Sequence, residues 1–191
     1  MLSTAWALNY CDYPFSSEFS HQNGNWHDEY YKEGIFVGYR YFDRLNITTR
    51  YCFGYGLGYS TFSIENPQVE ADNKFITVKA TVKNTGSKYS VREVVQVHVS
   101  APKGHLEKPV QVLVGFARSK LLAPGQSDEV TVTCPISFCA SYCGEHSLIL
   151  FVSVTAVDQH QHAPKLTLTS SWFLSNSSQS FQLKSLKKLQ L

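Results

Sequence analysis

FITVKATVKN, residues 75–84, alternates without a break, with Ile76, Val78, Ala80 and Val82 on one face and Thr77, Lys79, Thr81 and Lys83 on the other. A period of two with an apolar and a polar face predicts an antiparallel strand half buried on a core. Asn84-Thr85-Gly86 ends it as a turn. Downstream the pattern repeats. Residues 93–100 direct Val95, Val97 and Val99 inward, residues 110–117 direct Val112, Val114 and Phe116, and residues 129–133 direct Val130 and Val132, with Ala123-Pro124-Gly125 as the turn before the last. Short alternating strands separated by Gly, Pro and Asn turns, with no helical period between them, predict a β-sandwich of immunoglobulin-like shape.

Upstream lies a stretch of another kind, YKEGIFVGYRYFDRLNITTRYCFGYGLGYSTF at residues 31–62, dense in tyrosine, phenylalanine and glycine. Apolar and aromatic side chains run almost unbroken through Gly34–Phe42, which predicts a strand buried on both faces. Such a strand needs neighbours on each side. Residues 1–30 show no periodicity that would supply them, so the expectation is a core strand separated from its sheet.

Two blocks of this stretch, YKEGIFVGYRYFD (31–43) and FGYGLGYSTF (53–62), resemble the end of the α/β-sandwich domain of glycoside hydrolase family 3 enzymes of the β-glucosidase type. The run from Val82 to Thr133, VKNTGSKYSVREVVQVHVSAPKGHLEKPVQVLVGFARSKLLAPGQSDEVTVT, resembles their fibronectin-III-like domain. The resemblance extends from about Ser3 to His146. It implies a mainly β chain: residues 1–62 as the terminal strand and loops of an incomplete α/β-sandwich domain, 63–155 as an immunoglobulin/fibronectin-III-like β-sandwich, and 156–191 as an irregular tail. It also implies a parent that hydrolyses terminal β-linked glucosyl residues with retention. In that family the nucleophilic aspartate lies in an N-terminal (β/α)8 barrel and the acid/base upstream of the position of Tyr31, so neither is expected in this chain. The implied partners are the N-terminal catalytic domains of the parent, with β-linked glycosides reached only through the whole enzyme and no cofactor. No catalytic, substrate-binding or metal residue is assigned to this chain. The alternatives are a stand-alone carbohydrate-binding module and a β-sandwich that docks on a separate protein.

Residue by residue, the candidates for chemistry carry plainer readings. Met1–Tyr30 is irregular, with turns at Asp12–Pro14 and Gly24–Asn25. Its rings Trp6, Tyr10, Tyr13, Trp26 and Tyr30 could stack on a pyranose, but large aromatics serve packing more often. Glu29, Glu33 and Asp43 are the carboxylates nearest the aromatic stretch, and an acid–nucleophile pair needs a rigid frame to fix its separation. They read as surface or hydrogen-bonding groups. Gly54, Gly56 and Gly58 lack the helix and lysine of a phosphate loop and read as turn positions needing positive φ or close approach. Asn46-Ile47-Thr48 and Asn176-Ser177-Ser178 match the short glycosylation pattern.

His98 falls on the outer face of its strand and His105 in a loop, so both read as solvated. Cys134, Cys139, Cys143 and His146 offer four zinc-ligand types within thirteen residues, yet without the paired close spacing of a structural site. With Cys11 and Cys52 they make an odd set of five cysteines, which favours reduced thiols. The formal charge of +2 and a charged fraction of 17% indicate neither nucleic-acid nor membrane binding. Met1–Tyr10 lacks the pattern of a signal peptide and no apolar run reaches a membrane span, so a cytoplasmic location is expected.

After His146 the composition shifts, with Asp158 the lone acid against four lysines between Ser147 and Leu191. Where the family would end on a strand like Arg-Val-Gly-Asn-Ser-Ser, the chain has FVSVTAVDQ at 151–159. Degenerate codons for that run, read from the last base of the Phe151 codon, can give Arg-Val-Gly-Asn-Ser-Ser-Arg-Ser. The tail therefore reads as an out-of-frame translation, against the alternative of a true last strand alternating Leu148, Leu150, Val152 and Val154.

Overall fold

A computed structural model describes residues 3–18, 24–25, 27–28, 30–56, 58–72, 74–100 and 106–139, together with the backbone of three strands at 153–156, 166–171 and 186–189. The chain forms two compact units. One comprises residues 1–56 with 108–110, and the other 57–107 with 111–191.

In the first unit β1 (Trp6–Ala7) pairs antiparallel with β2 (Thr49–Tyr51), and between them lies the helix α1 (Tyr39–Leu45). The expected strand at Gly34–Phe42 is therefore not formed. A strand without ladder partners would leave its N–H and C=O groups unpaired, whereas a helix satisfies them within the segment. Glycine supplies the break, because Gly34 and Gly38 adopt φ of 59° and 63°, and Gly38 stands at the helix N-cap. With helical spacing, Tyr39 and Phe42 share one face, Asp43 lies at its margin one turn from Tyr39, and Arg44 points away. Phe42 is buried with Ala5 and Ala7 beneath Tyr13, Tyr39, Tyr41 and Ile47. Asn46 ends the helix in the left-handed conformation, and the Ile47 N–H donates to the Phe42 carbonyl at 2.9 Å.

The second unit is the expected sandwich. β3 (Phe62–Ala71), β4 (Phe75–Asn84) and β7 (Ser127–Pro135) form one antiparallel sheet in the order β3-β4-β7. β5 (Val94–Ser100) and β6 (Val112–Arg118) form the other with β8 (Ser153–Ala156), β9 (Leu166–Ser171) and β10 (Leu186–Leu189), in the order β10-β9-β8-β5-β6. Strands β9 and β10 lie in the stretch expected to be irregular. β8 pairs with β5, Val154 opposite Val99, while Leu148, Leu150 and Val152 lie outside the described residues.

Ile76, Val78, Ala80 and Val82 of β4 are buried as expected, as are Val95, Val97 and Val99 of β5 and Val130 and Val132 of β7. All but Ala80 close on one another, with Phe62, Val114, Leu122 and Cys134, as a single apolar cluster between the sheets. Two strands depart from simple alternation. In β6, Gly115 stands opposite Val97 and Leu113 opposite His98, which leaves Val114 as an extra residue. Such a bulge reverses which side chains face inward. Val114 and Ala117 join the core, while Phe116, expected inside, is 67% exposed. In β3 a register slip lies between Glu65 and Gln68, around Asn66 (φ 49°) and Pro67. Phe62 and Ile64 face the core before it and Val69 and Ala71 after it.

Candidate functional site

The residues singled out as candidates for chemistry are dispersed, and the described ones are largely engaged in holding the fold. Tyr13 lies edge-on to Phe42, ring centroids 5.9 Å apart, and its hydroxyl accepts the Ala7 N–H at 3.2 Å. Trp6 meets Tyr51 edge-on at 6.1 Å, and Tyr10 and Tyr30 are exposed. The Glu33 carbonyl accepts the Phe36 N–H at 3.0 Å, and Asp43 lies on α1, its carbonyl accepting the Asn46 N–H at 3.3 Å. Of the three glycines, Gly54 adopts positive φ, at 82°. Asn46 is the exposed helix cap. Trp26, Glu29, His105, Cys143, His146 and Asn176 lie outside the described residues.

Two expectations for the sandwich need correction or refinement. His98 is 3% exposed and not solvated, and its Nε2 lies 3.0 Å from Gln96 Oε1, also buried. β5 is buried along both faces, Gln96 and His98 as well as Val95, Val97 and Val99, so alternation alone does not place a side chain in water. Cys134 faces the core, its thiol donating to the Ile76 carbonyl at 3.5 Å, and burial pushes its pKa up. Cys139 belongs to the 3-10 turn Ile136–Cys139 that follows β7.

The most organised polar constellation is one that the turn reading of Asn84-Thr85-Gly86 passed over. Asn84, at the end of β4, is 0% exposed. Its Oδ1 accepts from Ser60 Oγ at 2.6 Å and from the Gly86 N–H at 3.0 Å, and its Nδ2 donates to the carbonyls of Leu122 at 2.9 Å and Tyr89 at 3.0 Å. Every hydrogen-bonding position of the amide is used, which offsets the cost of burying it. The segments it joins are further bound to each other. Thr85 and Gly86 donate their N–H groups to the Thr61 carbonyl at 2.9 and 3.3 Å, and the Thr85 hydroxyl donates to Thr61 Oγ1 at 2.8 Å. A Cβ on Gly86 would overlap Ser60 Oγ, so glycine is required by close approach.

On this base stand two aromatic rings. Tyr59, beside Ser60, is 85% exposed and Tyr89 is 45% exposed, with centroids 5.8 Å apart and planes inclined at 57°. The Lys88 ammonium lies 5.3 Å from the Tyr89 ring centroid. In sequence Tyr59 sits in the aromatic glycine-rich stretch and Tyr89 in a turn, and no local pattern joins residues thirty apart.

The chain is similar in sequence and fold to known proteins. The fibronectin type III-like domain family matches residues 93–150. β-Glucosidase A of Butyrivibrio fibrisolvens is 39% identical over 159 residues, spanning 74% of this chain and 19% of the relative. The β-glucosidase of Kluyveromyces marxianus is 35% identical over 144 residues, spanning 75% of this chain and 17% of the relative. Among solved structures, β-glucosidase 3B of Thermotoga neapolitana in complex with glucose superposes with a TM-score of 0.74 at 32% identity, over 86% of this chain and 23% of that one. The chain spans about a fifth of the length of these relatives. In sequence and fold it corresponds to the C-terminal region of glycoside hydrolase family 3 enzymes of the β-glucosidase type, fibronectin-III-like domain included.

Proposed function

We propose that this chain serves as the non-catalytic C-terminal module of a retaining β-glucosidase whose catalytic groups lie on the remainder of the enzyme. The observation that carries this reading is the partial span, about a fifth of each relative. Retaining hydrolysis needs two carboxyl groups about 5 Å apart on a rigid frame, and Glu33 and Asp43 are tied to a backbone turn and to a helix of one small unit. The first unit exposes Leu8, Tyr31, Ile35, Val37 and Leu45. So much apolar surface on so small a unit supports a seam against the rest of the enzyme, the N-terminal catalytic domains being the partner. Terminal β-linked glucosyl residues are the substrate class of the whole enzyme. Residence in the cytoplasm belongs to the same proposal, supported by the odd number of cysteines in the sequence, five, without a framework spacing. So does an out-of-frame origin of the tail, which the DNA sequence through codons 146–160 decides.

The test is hydrolysis of p-nitrophenyl β-glucoside by the isolated chain, and by a chimera in which this chain replaces the matching C-terminal region of Thermotoga neapolitana β-glucosidase 3B. The expected result is no turnover above the uncatalysed rate for the chain alone and measurable turnover for the chimera. Turnover by the isolated chain overturns the proposal.

A further inference from the structure

We propose that Tyr59 and Tyr89, with Lys88 beside them, form a saccharide-binding platform on the fibronectin-III-like unit, one that takes a pyranose ring by stacking. Exposed tyrosines are ordinary when scattered singly. These two are side by side, and both are tethered to the same buried amide, Tyr89 through its own carbonyl and Tyr59 through the side chain of its neighbour Ser60. Ser60, next to Tyr59, donates to Asn84 Oδ1, and the carbonyl of Tyr89 itself accepts from Asn84 Nδ2. The Thr61–Thr85–Gly86 bonds lock the two segments together a second time. The backbone beneath both rings is thereby held before any ligand arrives, and preorganisation of this kind reduces the ordering cost of binding.

The chemistry of the patch selects the ligand class. Two exposed rings inclined at 57° with centroids 5.8 Å apart offer apolar faces and two phenolic hydroxyls, beside an ammonium group that lies over the Tyr89 ring. A pyranose is complementary to it: one face presents C–H groups to an aromatic ring, and its edge presents hydroxyls that accept from Lys88 and exchange hydrogen bonds with the phenols. Two rings and one lysine are too small for a stable protein interface, which buries about 800 Å² per partner. The proposal shares with the accessory-module reading only the choice of saccharide as probe. It requires no catalytic activity.

Isothermal titration of the full chain with cellopentaose and laminaripentaose tests it. Binding of at least one of them with a Kd on the order of 1 mM is expected, typical of a small site. Tyr59→Ala and Tyr89→Ala should each weaken it about tenfold, as loss of a stacked ring does. Tyr59→Phe should keep most of it. Because both side chains are exposed, the thermal midpoints of these variants should match the parent's, which separates lost binding from lost folding. Absence of heat with both sugars overturns the proposal, as does binding that survives both alanine substitutions. Turnover by the isolated chain would overturn the accessory-module reading and leave the platform standing, so the two failures are distinguishable.

Discussion

Gly115 on β6 faces Val132 on β7 across the sandwich so closely that a Cβ built on it would stand 2.9 Å from Val132 Cγ1 and 3.5 Å from the Cys134 Cβ. The sheets meet here with no room for a side chain. Gly115→Ala should therefore destabilise the fold by about 1–3 kcal/mol, the usual range for overpacking. Combining it with Val132→Ala should cost less than the sum of the two separate changes, since each relieves the other. Urea denaturation of the single and double variants checks this, and strict additivity would count against the close approach.

Asn84 predicts a second large effect. Replacing it by alanine leaves Ser60 and the carbonyls of Leu122 and Tyr89 without this partner, at a cost of about 3 kcal/mol. Ser60→Ala removes one bond of the set and should cost about 1 kcal/mol. The order of the two midpoints in a thermal or urea scan is the measurement.

The bulge in β6 can be tested by a pair of substitutions that simple alternation would rank as equals. Val114→Ala should cost about 2 kcal/mol as a buried truncation. Phe116→Ser should fall within about 0.5 kcal/mol of the parent, since the ring is in water. Equal losses would mean that Phe116 faces the core after all.

Asp128 gives the fold a dependence on acid. The backbone N–H of Lys120 donates to its Oδ2 at 2.9 Å and the Lys120 ammonium lies 3.3 Å from Oδ1. The backbone bond foremost, then the lysine side chain, holds the carboxyl below its ordinary pKa against the opposing effect of burial. With the folded-state pKa below the unfolded one, the stabilisation is fully present above about pH 4 and is lost as pH falls through the folded value. The stability gap between the parent and Asp128→Asn, read from urea midpoints, should shrink between pH 7 and pH 3.

Burial also separates the thiols. Cys11 is exposed, whereas Cys134 is enclosed in the core with its pKa pushed up. Alkylation followed by peptide mass spectrometry should modify Cys11 rapidly at pH 8 and Cys134 only after unfolding. Rapid labelling of native Cys134 would contradict the core placement.

How far the fold was legible depends on where the chain keeps a strict period. β4, β5 and β7 alternate cleanly, and their inward valines read directly from the residues. β3 escaped the reading and β6 was half misread for one shared reason, a single extra residue that reverses the facing side chains partway along the strand. Asn66 and Pro67 further interrupt any strand pattern in β3. The Gly34–Phe42 run failed differently, because a short apolar stretch carries no period able to choose strand over helix, and Gly38 decided it. His98 alternates off the valine face, yet that face of β5 is buried too, a property of tertiary packing that one strand's pattern does not carry. Asn84 shows the same limit, since its partners lie 2, 5, 24 and 38 positions away.

Pro67 stands within β3, at one margin of the three-stranded sheet, where the backbone slips out of register. A strand at a sheet margin offers its unpaired groups to any other extended chain, and proline has no N–H to offer. The kink at Asn66-Pro67 thus breaks the template on which a second molecule could be added strand to strand, and on this side the sandwich carries its own block against fibril growth.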